Sequence, residues 1–187
     1  MRGNVVLGVT GSIAAHRALD VTSQLVKAGC SVRVVLTADA QRFVTALGFK
    51  TLSRQAVITD LYEEEDGWKP LHVRAADEAD LMLVAPATAN TLAKMAHGMA
   101  DDALGCIALA LAPGTPVLVA PAMNGKMWGH PATQSNVSTL QARGVEILGP
   151  AEGLLSCGYE GVGRLLETET LVARVLAVLD GRVKGRA

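Results

Sequence analysis

Three segments of the chain set polar groups and small residues at the ends of apolar runs, an arrangement suited to holding a ligand. Gly8-Val9-Thr10-Gly11-Ser12 ends a β-rich run and opens a helical one. Backbone N–H groups, the positive end of the helix and the Ser12 hydroxyl can thus all face one anion, and a phosphate fits there. A tight turn with Ser12 as an N-cap accounts for the same residues. The glycines do not spell G-x-G-x-x-G, and Thr37 stands after the second apolar run where a dinucleotide site has an acidic residue, so a mononucleotide is favoured over a dinucleotide. Pro86-Ala87-Thr88-Ala89-Asn90-Thr91 follows a third run with hydroxyl and amide groups, or caps a helix through Thr88 or Asn90. Pro121-Ala122-Met123-Asn124-Gly125-Lys126-Met127-Trp128 follows a fourth, with Asn124 placed to meet a substrate and Met127 and Trp128 to wall the same cavity.

Fewer residues could move protons or electrons. His72 stands between a polar loop and the strand that starts at Leu81. A lone His is more often a surface or satisfied polar residue than a catalyst, and His16, His97 and His130 are read that way. A free Cys is commonly a small core residue, but Gly153, Gly158, Gly161 and Gly163 surround Cys157, a density that suits a flap closing over a site. Cys30, Cys106 and Cys157 are an odd number without metal-ligand spacing, so no zinc site or disulfide framework is expected, and a reducing cytoplasm suits them.

The elements that must position these groups alternate. Residues 4–9, 31–36, 81–85, 117–120 and 145–148 read as buried strands, residues 13–28 and 38–47 as helical, and residues 168–179 as an amphipathic closing helix. Such alternation predicts an α/β fold, a parallel sheet with helices on both faces and ligands beyond the carboxyl ends of the strands. With 187 residues, half of them hydrophobic, one core is expected, a single domain over residues 1–181 with a frayed tail at 182–187. Residues 59–71 are acidic at 63–66 and interrupted by Gly67 and Pro70, a solvated surface loop. A formal charge of −1 without a basic stripe argues against nucleic acid. Apolar stretches such as 81–86 and 107–112 are too short to span a membrane, and no export signal precedes the first strand, so a soluble protein is expected.

In their order and spacing, PATANT, PAMNGKMW and CGYEGVGR resemble the homo-oligomeric flavin-containing cysteine decarboxylases, from Gly8 to about Leu166, and are most similar to the branch serving coenzyme A biosynthesis. The resemblance implies a flavodoxin-like, Rossmann-like three-layer sandwich binding FMN at a subunit interface within a trimer, with trimers sometimes building dodecamers. It implies that Gly11, Ser12, Ile13 and Thr37 lie around the FMN phosphate and that Thr88, Ala89, Asn90, Thr91 and Ala122 line the flavin. His72, Asn124 and Cys157 would be catalytic, and Met127, Gly158, Tyr159 and Arg164 would join Asn124 in contacting the substrate. FMN would take two electrons from the thiol-bearing carbon, creating the electron sink that lets the carboxylate leave as carbon dioxide. His72 would help deprotonate the thiol or orient the substrate, Asn124 would hold the carboxylate, and Cys157 would donate the proton that yields a saturated thiol. The implied reaction takes 4′-phosphopantothenoylcysteine to 4′-phosphopantetheine. Peptide-modifying members of the family instead release an enethiol from a C-terminal cysteine on the way to aminovinyl-cysteine, and non-catalytic flavin-binding regulatory subunits share the fold. Tyr159 and Leu165 depart from the commoner coenzyme A pattern, so the carrier of the cysteine stays open between phosphopantothenate and a peptide.

Overall fold

The computed structural model describes residues 2–62, 68–154, 158 and 160–185; residues 63–66 of the acidic run, Cys157 and Tyr159 lie outside the described residues. In chain order, β1 (Asn4–Val9) passes through a 3-10 turn (Ile13–His16) into α1 (Arg17–Lys27) and β2 (Ser31–Leu36). Next come α2 (Ala46–Ser53), α3 (Leu71–Glu78), β3 (Leu81–Ala87), α4 (Ala89–His97), α5 (Ala103–Ala110) and β4 (Val117–Pro121). The chain continues through α6 (Gly125–Trp128), α7 (Pro131–Ala142), β5 (Glu146–Ile147), β6 (Ala151–Leu154), β7 (Glu160–Arg164) and α8 (Thr168–Gly185).

The five-stranded sheet has the order β2-β1-β3-β4-β5 with every pairing parallel. Its strands are apolar on both faces, which is why they read as continuous runs rather than alternations. Val5, Leu7, Leu81, Leu83 and Leu118 point to one layer, where they meet Leu25 of α1, Phe49 of α2 and Leu171 and Val175 of α8. Val6, Met82, Val84 and Val119 point to the other, against Leu71 of α3, Leu92 of α4, Ile107 of α5 and Leu140 of α7. Each fully buried Leu or Val contributes about 1.5–3 kcal/mol, so these two layers hold the sandwich together. Gly8 lets α5 close on the sheet, since a Cβ there would stand 2.4 Å from the Leu104 Cδ1.

Several local expectations change. Residues 38–47 hold only a 3-10 turn, Ala40–Arg42, and then an extended Thr45 with φ −108° and ψ 150°; α2 starts at Ala46. The Thr37 side chain accepts from the Ala40 N–H, and the Thr37 carbonyl from the Gln41 N–H, turning the chain immediately after β2. Helical structure after β1 likewise begins as a 3-10 turn, and the α-helix proper runs only over α1. The segment read as a glycine-rich flap contains an antiparallel hairpin, with Glu152 opposite Val162 and Gly153 opposite Gly161. The last helix continues to Gly185, past residue 179.

This strand order puts the switch point between β1 and β3, because the connection from β1 runs outward to β2 on one side while β3 lies on the other. The loops leaving the two strands diverge there and open a crevice at the carboxyl edge of the sheet.

Candidate functional site

Thr10, only 1% exposed, ties together the two loops that border the crevice. Its hydroxyl donates to the Pro86 carbonyl at 2.7 Å and accepts from the Thr88 N–H at 3.1 Å, so one buried side chain sets the spacing of the turns after β1 and β3. The next residue must be small, because a Cβ on Gly11 would stand 2.4 Å from the Asp39 Cβ. Ser12 then accepts from the Ala14 N–H at 3.3 Å and Thr88 from the Thr91 N–H at 3.3 Å, capping the 3-10 turn and α4. Asn124 caps α6, its Oδ1 accepting from the Lys126 N–H at 2.8 Å. This bond orients the carboxamide with its NH2 as the donor end, the end a carboxylate requires.

These caps also line a single cavity of about 430 Å³. Gly11, Ser12, Ile13, Thr88, Ala89, Asn90, Ala122, Asn124, Met127 and Arg164 all contribute to its wall. Ile13, Ala122, Met123 and Leu165 make much of it apolar. A second cavity of about 220 Å³ is lined by Thr37 and Thr91 and shares Gly11, Asp39, Thr88 and Asn90 with the first. The pair suits an elongated ligand with a flat apolar part and a hydroxylated or anionic tail. Lys94 stands in the second cavity, its ammonium 2.8 Å from Asp101 and 3.5 Å from Asp102. The hydrogen bond between them holds the Lys94 ammonium above its ordinary pKa and the Asp101 carboxyl below its own. Asp102 also caps α5 by accepting from the Gly105 N–H at 2.8 Å.

The β6–β7 hairpin forms the outer lip. Its Gly163 carbonyl accepts from the Met123 N–H at 2.9 Å, and a Cβ on Gly163 would stand 2.2 Å from the Met123 carbonyl oxygen, so only glycine allows this approach. Arg164 bonds Glu167, whose other oxygen accepts from Arg17 at 3.0 Å. One carboxylate thereby links the hairpin to the start of α1.

His72 is not among the residues lining either cavity. It occupies the first turn of α3, and its Nδ1 is buried without a hydrogen-bond partner among the described residues. Because α3 runs back toward the starting edge of β3, that turn still lies at the carboxyl edge of the sheet. Gly158 is exposed and lines neither cavity. Sequence reasoning did not single out Asp39, Met123 or Leu154, all on the main cavity wall, nor Lys94 in the second; Leu165, noted in the sequence as a departure from the family pattern, lines the main cavity too. Among the described residues, no group of three His, Cys, Asp or Glu side chains could hold a metal, and no helix is long and apolar enough to cross a membrane.

A doubly wound sheet with a two-chambered cavity at its switch point defines a nucleotide- or flavin-binding class of protein. A flavoprotein family model matches residues 2–180, and the chain belongs to that family. It is 48% identical over 169 residues to the coenzyme A biosynthesis bifunctional protein CoaBC of Bacillus subtilis (strain 168), a match covering 90% of this chain but 41% of the relative. The chain therefore spans less than half of that relative's length. It is 41% identical over 175 residues to a probable phosphopantothenoylcysteine decarboxylase of Streptococcus mutans, covering 94% of this chain and 98% of the relative. Among solved structures, the FMN-dependent cysteine decarboxylase SpaF superposes with a TM-score of 0.82 at 32% identity, covering 95% of this chain and 97% of that one.

Proposed function

We propose that the protein is an FMN-dependent cysteine decarboxylase whose substrate is 4′-phosphopantothenoylcysteine and whose product is 4′-phosphopantetheine. The observation that carries this reading is the Asn124 carboxamide, which accepts from the Lys126 N–H and lines the same cavity as the loops after β1 and β3. Those loops fit a flavin mononucleotide: Gly11 lines both chambers, the hydroxyls of Ser12, Thr37, Thr88 and Thr91 suit a polyol phosphate, and Ile13, Ala122 and Met123 suit the ring. A bound FMN would supply the two-electron acceptor for the thiol-bearing carbon that makes loss of carbon dioxide possible. Asn124 donates to the substrate carboxylate and holds it until the carbon–carbon bond breaks. Ile13, Met127 and Leu154 give the substrate an apolar wall. Arg164 adds positive charge at the cavity wall for an anionic substrate. The two electrons taken up would return to the decarboxylated enethiol, with Cys157 supplying the proton that completes the saturated thiol.

The location of His72 supports a shared site. It lines neither of the two cavities described, yet its first turn of α3 lies at the carboxyl edge, and Phe43, Leu47, Met99 and Leu109 leave apolar surface exposed. A second copy then brings His72 to the cavity holding Asn124, within a trimer and its higher assemblies. In this reading residues 1–181 act as one flavoprotein domain in the cytoplasm. Mixing inactive His72→Asn and Asn124→Asp chains restores roughly a quarter of wild-type activity, because a quarter of random interfaces pair an intact His72 with an intact Asn124. A mixture as inactive as its parents overturns the shared site.

The principal test is incubation of the flavin-loaded protein with 4′-phosphopantothenoylcysteine. Release of carbon dioxide with formation of 4′-phosphopantetheine is expected; no turnover overturns the reading. The described donor set addresses the cysteine carboxylate and cavity mouth, so the second reading keeps the same chemistry on a peptide ending in cysteine. Loss of the mass of carbon dioxide plus two hydrogens from such a peptide, with phosphopantothenoylcysteine untouched, would favour it.

A further inference from the structure

One carboxylate on the cavity wall has no part in the chemistry above. Asp39 stands at the N-cap position of the Ala40–Arg42 turn but makes no capping bond, and among the described residues its carboxylate has no hydrogen-bond or ion-pair partner. It lines both cavities, at the seam they share with Gly11, Thr88 and Asn90. Its position there is closely set, because the Asp39 Cβ occupies the space that a side chain on residue 11 would need. While the seam is wet, an unpaired carboxylate is solvated at no cost. A ligand running from one chamber to the other displaces that water, and the carboxylate then requires an O–H or N–H donor. A phosphate offers no donor at neutral pH and repels the carboxylate, whereas a sugar or polyol hydroxyl satisfies it. Acidic residues near the end of the second strand of doubly wound sheets do the same for ribose hydroxyls.

We propose that Asp39 accepts a hydrogen bond from a hydroxyl of the flavin's polyol chain where the chain crosses between the two chambers. This rests on the flavin-binding reading above, and it makes Asp39 a determinant of which flavins the site retains. The hydroxylated segment lies at the seam, and the phosphate is kept off it.

The test titrates the full chain, freed of bound flavin, with FMN, riboflavin and lumiflavin, the last having the same ring with a methyl group in place of the polyol. Asp39→Ala should weaken FMN and riboflavin alike, by roughly ten- to a hundredfold, and leave lumiflavin unchanged. Asp39→Asn keeps a carbonyl acceptor and should lose only a few-fold, an arm that stands even if the alanine variant fails to fold. Equal losses for all three flavins would mean that Asp39 only packs the seam. A gain for FMN over riboflavin would mean that it faces the phosphate. Either result, or no change at all, overturns the inference. A wild-type chain that binds none of the three overturns the flavin reading itself, whereas a flavin-binding chain indifferent to residue 39 overturns the inference alone.

Discussion

The floor of the cavity and its lip are built on different physical terms. The floor rises from the ends of β1, β3 and β4, where Thr10 is 1% and Ala122 5% exposed, and its loops are joined by two hydrogen bonds of the buried Thr10 side chain. The β6–β7 lip exposes 67% of Leu154 and 41% of Val162, and it meets the floor through the Gly163–Met123 contact and an ion cluster at Glu167. Buried polar contacts are expensive to disturb, and exposed ones are cheap. Changes in the floor should therefore act on stability, flavin retention or turnover, and changes in the lip on substrate affinity.

The largest effect is expected where the floor does chemistry. Asn124→Asp keeps the α6 cap, since a carboxylate is also a good N-cap, but it replaces the donor facing the substrate with a negative charge. Turnover should fall roughly 10²–10³-fold with flavin still bound and the melting temperature nearly unchanged. Normal turnover in the variant would remove Asn124 from the reaction. Next comes Thr10→Val, which keeps the volume and leaves both the Pro86 carbonyl and the Thr88 N–H without their partner. Destabilisation of about 2–3 kcal/mol is expected, with weaker flavin binding because two walls of the seam lose their spacing. A variant that melts like the wild type would show that the floor is not held by this contact.

Much of the floor was legible in the sequence because its residues follow apolar runs directly. Ser12, Thr88 and Asn124 each stand one to three residues past a buried strand, where capping and ligand binding draw on the same residue types. Asp39 escaped because only the position of Thr37 was weighed as the acidic end of the second strand; the turn begun by the Thr37 hydroxyl swings a residue two places further into the cavity. The lip was harder to read. Strands Ala151–Leu154 and Glu160–Arg164 contain three glycines and little β propensity, and take their register from one another rather than from a hydrophobic alternation. The position of His72 is set by the packing of α3 across the layer, a long-range fact that no local pattern around residue 72 encodes.

Gly163→Ala is the sharpest test of the division between floor and lip. The added Cβ meets backbone on the Met123 side, 2.2 Å from a carbonyl oxygen and 3.3 Å from the Gly125 nitrogen, so no rotamer relieves it and the hairpin must lift. Losing the Met123–Gly163 hydrogen bond with that displacement costs about 1–2 kcal/mol. KM should rise roughly tenfold, with flavin affinity held at the wild-type value. Equal losses of flavin and substrate affinity would mean that floor and lip are one unit.

The smallest effect belongs to Glu167, whose carboxylate serves Arg17 and Arg164 at once. All three side chains are substantially solvated, at 52%, 30% and 41% exposure, so the cluster contributes at most about 1 kcal/mol. Glu167→Gln retains a carbonyl acceptor for one arginine and removes the charge shared by the two. The expected result is a two- to threefold rise in KM, roughly, at low ionic strength, with unchanged kcat and flavin affinity. Salt supplies the discriminating measurement: at about 1 M ionic strength the screening length shrinks to roughly 3 Å, and wild type and variant should converge. A difference that persists in high salt would mean that Glu167 positions Arg164 by geometry rather than by charge, and the lip would then share the floor's dependence on fixed hydrogen bonds.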